Sequence, residues 1–254
     1  MVLFSRIYGQ GEPLLILHGL FGMGDNWITL AKRFAENYEV HVIDQRNHGQ
    51  SFHSDSWTYQ DMVYDLEEYI SVHQLGRVNL LGHSMGGKTV MCFASMHPSK
   101  VNKLIVADIA PKQYPVSHGF ILDAISALNF DEIHSRKQAD EELSKYISDY
   151  GIRQFILKSL YWKEKGKLGF RFNVEIIKNN IKNVGIALPP NAYFDGPTLF
   201  LDGQKSDYIK PKDEDLISLH FPDYDIVPIP NAGHWLHAEQ PKLFFESVSE
   251  FLEE

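Results

Sequence analysis

The sequence predicts a doubly wound α/β fold: a mostly parallel sheet with helices on both faces and an inserted helical cap. Three observations carry this. Six short apolar runs alternate with helical periods, the pattern of strands buried on both faces and linked by crossover helices. Every group of residues able to do chemistry falls directly after one of those runs, where the carboxyl edge of an open α/β sheet builds its site. Between the fourth and fifth runs lies a charged, helical stretch, from about Pro111 to Pro190, with no strand run in it. That is longer than any ordinary crossover.

The elements follow in order. Leu3 to Tyr8, before the turn Gly9-Gln10-Gly11, is expected as an antiparallel edge strand. The six apolar runs are Leu14–Leu17, Val40–Ile43, Val78–Leu81, Leu104–Ala107, Thr198–Leu201 and Ile226–Ile229. Trp27, Leu30, Ala31 and Phe34 make one helical stripe. Tyr59, Met62, Val63, Leu66, Tyr69 and Ile70 make a second, with Thr58 and Asp61 spaced as a capping box. The helix after Ser84 must end before Pro98. Phe244, Phe245, Val248, Phe251 and Leu252 mark the last helix. Residues 1–110 and 191–254 therefore form one core, and 111–190 an inserted cap with periods around Ile121-Ile125-Leu128, Leu143-Ile147 and Phe155-Leu157-Leu160.

Bulk properties exclude several classes. A chain of 254 residues, 44% hydrophobic and 22% charged, can bury a sizeable core. Its net charge of −9 argues against a nucleic-acid or anionic-membrane surface. No apolar run of membrane-spanning length and no signal-peptide pattern is visible. The single cysteine, Cys92, cannot pair within the chain, and it falls in an expected buried helix. A cytoplasmic protein, monomer or homodimer, without membrane insertion is the expectation.

Gly82-His83-Ser84-Met85-Gly86 lies between a strand run and a helical run, the setting of a nucleophile elbow. The turn is too tight for side chains at its glycines, and it lifts the serine hydroxyl clear of the sheet. A serine hydroxyl needs an adjacent base to become a nucleophile. His234, in the Gly-containing loop between the last strand and the last helix, is the candidate base. Two aspartates compete to orient it: Asp108, ending the strand after the elbow helix, and Asp207, in the loop after the next strand. An oxyanion hole needs two fixed backbone N–H donors. The expected pair is Met85 and Leu20, with Phe21 as the alternative to Leu20. Phe21, Trp235 and His237 are expected in the substrate pocket. His18 and His48 are expected to brace their loops. No metal-ligand spacing appears and no cofactor is called for. Gly82 to Thr89 matches the letters of a phosphate-binding G-x-x-x-x-G-K-[ST] loop, but the elbow reading accounts for more of the chain.

His18-Gly19-Leu20-Phe21-Gly22, Gly82-His83-Ser84-Met85-Gly86-Gly87-Lys88, Asp108-Ile109-Ala110-Pro111 and Gly233-His234-Trp235-Leu236-His237-Ala238-Glu239 together resemble the α/β-hydrolase superfamily over the whole chain. Within it they resemble the YbfF-type esterases and the related ABHD-eleven-type hydrolases. The resemblance implies a serine hydrolase for small-molecule esters and favours Asp108 as the acid, with Ser206 contacting the histidine. Carboxylesterase action on small to medium acyl groups is the leading expectation. The alternatives are an acyl-CoA thioesterase using the same residues and a slow or non-catalytic small-ligand receptor.

Overall fold

The computed structural model describes residues 1–115 and 119–254. Seven strands form one sheet in the order β1-β3-β2-β4-β5-β8-β9. They are β1 (Ser5–Tyr8), β2 (Glu12–Leu17), β3 (Tyr38–Ile43), β4 (Val78–His83), β5 (Val101–Ala107), β8 (Thr198–Gly203) and β9 (Tyr224–Ile229). Only β1 runs antiparallel, against β3 at the edge; the other pairings are parallel.

Alternation along each strand sorts the core into two faces. Leu15, Leu17 and Leu80 point to one, where α2 (Tyr59–Val72), α3 (Met85–Met96) and α8 (Glu214–His220) pack. Leu14, Ile16 and Leu81 point to the other, covered by α1 (Ile28–Phe34) and α10 (Pro241–Glu253). A short helix, α9 (Leu236–Glu239), leads into α10. The sheet is therefore doubly wound. Helix α2 starts where the sequence places its cap: Thr58 accepts from Asp61 N–H, and the Asp61 carboxylate accepts from Thr58 N–H. Such a cap is worth about 1 kcal/mol. Helix α3 ends at Met96, ahead of Pro98.

Between β5 and β8 lie α4 (Gly119–Ser126), α5 (Arg136–Leu143), α6 (Tyr150–Lys158) and α7 (Val174–Asn180). One expectation is corrected here. The stretch is not purely helical, because β6 (Leu160–Glu164) and β7 (Lys167–Phe170) form an antiparallel hairpin. The hairpin turns at Gly166 with φ 81°, and its charged residues Lys163, Glu164, Lys165 and Lys167 hide the strand signal. Apolar residues of all these elements join one cluster with Leu20, Phe21, Tyr59 and Met85. The chain leaves and re-enters the sheet at neighbouring points. Tyr114 N–H donates to Gly185 O (2.7 Å), and Leu188 N–H donates to Pro111 O (2.9 Å). Lys88, fully buried on α3, donates from Nζ to Lys112 O (2.6 Å) and Ile186 O (2.5 Å). Burial lowers the Lys88 ammonium to about 7. Among the described residues no helix is long and apolar enough to cross a membrane.

Candidate active site

Five of the six non-glycine residues with positive φ in the described chain lie in loops at one edge of the sheet. Phe21 follows β2, Asn47 follows β3, Ser84 follows β4, Asp108 follows β5 and Asn231 follows β9. Left-handed backbone costs a side-chain-bearing residue about 1–3 kcal/mol, and such strain collects where function fixes geometry.

Ser84 has φ 54° and ψ −115° and stands at the N-terminus of α3. Glycine is obligatory around it. A Cβ on Gly86 would lie 2.4 Å from Leu17 O, and one on Gly82 would lie 2.3 Å from Gly86 O. Ser84 Oγ donates to His234 Nε2 at 2.9 Å. His234 Nδ1–H donates to Asp108 Oδ2 at 2.7 Å. Asp108 is wholly buried. Its carboxylate also accepts from Ser206 Oγ (2.5 Å) and Gly203 N–H (3.1 Å). Burial pushes the carboxyl up to about 6, while those bonds from Ser206 and Gly203 pull the other way. Asp207 is not brought to His234. Its side chain is 93% exposed and pairs with Lys210 Nζ at 3.0 Å. Ser206 reaches the imidazole only through the carboxylate they share.

The loop carrying Gly19 to Gly22 is held by two neutral histidines. His18 Nδ1–H donates to Gly19 O (2.8 Å), and His18 Nε2 accepts from Gln45 N–H (3.0 Å). His48 Nδ1–H donates to Arg46 O (3.0 Å), and His48 Nε2 accepts from Phe21 N–H (3.3 Å). Complete burial lowers His18 to about 4 and His48 to about 3. Phe21 N–H is thus turned toward His48. Leu20 lines the cavities beside Ser84. His83, next to the serine, donates from Nε2–H to His234 O at 2.7 Å, and burial holds it near 3.

Two cavities meet at Ser84 and share Leu20 and Tyr208 in their walls. One of about 240 Å³ is apolar, lined by Phe21, Phe120, Ile152, Phe155, Ile156 and Trp235. The other, about 450 Å³, runs past Tyr59, Ile109 and Tyr114 to Lys112, Lys210 and Lys212. Phe21 and Trp235 both line the smaller cavity. His237 does not: it lines neither cavity and is buried, stacked on Trp27 with ring centroids 4.1 Å apart. Its position one turn beyond His234 carries it behind the loop. Sequence reasoning missed Tyr208, whose ring lies 3.9 Å from the His234 ring at 15°. The one available signal was an aromatic directly after Ser206-Asp207. Phe155, which the sequence offers as part of an apolar period and as one of the aromatics of the expected cap, packs on Trp235 at 5.4 Å.

The Ser84 hydroxyl, hydrogen-bonded to an imidazole whose far nitrogen is held by a buried carboxylate, can be deprotonated as it attacks an electrophile in either cavity. Among the described residues no group of His, Cys, Asp and Glu is placed to hold a metal ion.

Known proteins bear on this geometry. A family profile described as the alpha/beta hydrolase fold matches residues 12–143. The chain is 37% identical to the sn-1-specific diacylglycerol lipase ABHD11 of Danio rerio over 96% of its length and 80% of the relative. It is 38% identical to a putative esterase/lipase of Haemophilus influenzae, covering 94% and 82%. With esterase YbfF of Escherichia coli the identity is 32%, over 96% and 94%. A solved marine microorganism esterase superposes with a TM-score of 0.96 at 46% identity, covering 99% of both chains. The chain belongs to the α/β-hydrolase family, in the branch that includes YbfF and ABHD11.

Proposed function

We propose that the chain is a serine carboxylesterase acting on small to medium acyl esters through an acyl-enzyme. One observation carries the reading: the continuous run from Ser84 Oγ through His234 to buried Asp108, at 2.9 and 2.7 Å. Ser84 Oγ bonds to the acyl carbon while its proton passes to His234 Nε2. Asp108 holds the tautomer and stabilises the imidazolium. The Met85 and Leu20 N–H groups stabilise the oxyanion. The carbon–oxygen bond to the alcohol then breaks, and the alcohol leaves with the proton from His234. Water attacks the acyl-enzyme by the same route in reverse and releases the acid. Residues 111–190 act as a cap, whose apolar faces close the smaller cavity around the acyl chain. Relatives named as esterases and a lipase support this reading. Ser84→Ala should lower hydrolysis of a p-nitrophenyl ester by about 10⁴-fold or more. A fluorophosphonate should label Ser84 in the native chain. An active Ser84→Ala variant overturns the reading.

A second reading, acyl-CoA thioester hydrolysis by the same residues, draws on the larger cavity. Lys112, Lys210 and Lys212 are among its lining residues and could meet a phosphate-bearing leaving group. Asp213 and Asp207 already pair with Lys112 and Lys210, which weakens that attraction. Rates on matched oxygen esters and acyl-CoAs decide between the two.

A further inference from the structure

We infer that Tyr208 is a positioning residue for His234, holding the imidazole by a face-to-face stack that strengthens when the ring becomes charged. The inference rests on the proposed role of His234 as base. The rings are 3.9 Å apart and 15° from parallel. Tyr208 does not float against its partner. Its N–H donates to Ser206 Oγ (3.2 Å), whose hydroxyl donates to Asp108 Oδ2. Its C=O accepts from Tyr114 OH (2.6 Å), and the Tyr114 ring packs on it at 5.3 Å. The carboxylate that takes the Nδ1–H of His234 therefore also fixes, through Ser206, the residue stacked on its ring. Acid, base and tyrosine are thus joined in one hydrogen-bonded and stacked unit.

A neutral imidazole gains little electrostatically from the face of a phenol ring, whereas an imidazolium is drawn to its negative π cloud. The stack is thus stronger after His234 has taken the Ser84 proton than before. An interaction that grows toward the transition state lowers the barrier. Among the described residues, the other titratable groups around His234 leave this contribution intact. Asp108 faces it from the end of β5. His83 faces it from β4, with its ring at 4.8 Å, and His237 packs on His83 from α9 at 4.7 Å. Burial keeps both histidines neutral, so neither adds a competing positive charge. Glu239 is engaged by Gly233 N–H, Asp202 lies behind Asp108, and Lys158 acts on His237.

The test is the pH profile of kcat/KM on a p-nitrophenyl ester for Tyr208→Leu and Tyr208→Phe. Its acid limb reports the free-enzyme base. Tyr208→Leu should move that limb to lower pH and reduce kcat/KM about 2- to 30-fold. Tyr208→Phe, which keeps the π face, should stay close to the native profile. A ring that served only as a wall would give the opposite sign. Its loss would admit water, favour the imidazolium and move the limb up. A limb that rises or stays put, or a loss confined to KM, overturns the inference. Should the leucine variant fail to fold, pentafluorophenylalanine at position 208 keeps the shape and reverses the charge of the face. It should then behave as predicted for leucine, and a native profile overturns the inference. Fluorophosphonate labelling of Ser84 separates the two levels. No label in the native chain removes the esterase reading itself, whereas labelling with an unmoved acid limb removes only the role of Tyr208.

Discussion

Acidification from pH 7 to pH 5 should cost this fold several kcal/mol, and four buried histidines set the size. His18, His48, His83 and His237 are each no more than 5% exposed. Burial holds them near 4, 3 and 3, and for His237 well below 6.5. At these histidines the folded state therefore binds fewer protons than the unfolded chain between about pH 6.5 and their folded values. Stability is intact above that range and falls as pH drops through it. His18, His48 and His83 each cost about 1.4 kcal/mol per pH unit, or about 2 kcal/mol at pH 5. His237 shifts the same way and is lowered in part by His83, so it is not added separately; about 6 kcal/mol from the other three is the working figure. Asp108 opposes this. Its folded value near 6, against 3.8 unfolded, makes protonation favour the fold as pH falls through 6, by about 1 kcal/mol at pH 5. Asp202, also raised to about 6 but partly exposed, opposes it by a smaller amount, so the balance is a loss of roughly 4 kcal/mol, against a typical domain stability of about 5–15 kcal/mol. His48→Gln isolates one contribution, because its amide oxygen can still accept from Phe21 N–H. Urea unfolding followed by tryptophan fluorescence at pH 7, 6 and 5 is the assay. The variant should lose about 2 kcal/mol less than the native chain between pH 7 and 5. Equal losses in the two proteins would refute the reasoning.

Two further outcomes follow from the site. Asp108→Asn should lower kcat by about 10³- to 10⁴-fold, while Asp207→Asn, which removes only an exposed pair with Lys210, should stay within about twofold; steady-state kinetics on an aryl ester shows which aspartate matters. Gly86→Ala forces a Cβ against the carbonyl oxygens of Leu17 and His18, so its urea midpoint should fall by the equivalent of about 3 kcal/mol, the upper end for overpacking.

How much of this was legible depended on the range of the interaction. The sheet and helices α1, α2, α3 and α10 follow from local apolar periods, and the capping box at Thr58 and Asp61 is a three-residue signal. The elbow is equally local: Gly82 and Gly86 are dictated by backbone atoms within one tight turn and the strand beside it. The hairpin at Leu160–Phe170 escaped because its strands are short and its turn is charged. Choosing between Asp108 and Asp207 required knowing how β5 and β8 end relative to each other, across a register of Ala107 with Leu201. No spacing encodes that; the family resemblance favoured Asp108 where the residues alone left both open. His237 failed for a related reason. Three chain positions, the last two in a short helix, turn a side chain from the cavity to the core, and the sequence does not say where that helix begins.

The buried histidines and the strained loops belong to one design. Phe21, Ser84 and Asp108 hold positive φ at the same sheet edge, and each would relax if its loop were free. The loop at Phe21 is held by two groups that bond only in one protonation state: His48 accepts from Phe21 N–H, and His18 accepts from the strand-end loop at Gln45. A protonated His18 or His48 would have no lone pair with which to accept. The positions of Leu20 and Phe21 therefore depend on those rings staying neutral, and their burial, which costs stability in acid, is what keeps them so near pH 7. Loss of activity on acidification should then track loosening of this loop as well as protonation of His234. In His48→Gln, whose acceptor does not titrate, the part of that loss due to His48 should disappear while the parts due to His18 and His234 remain.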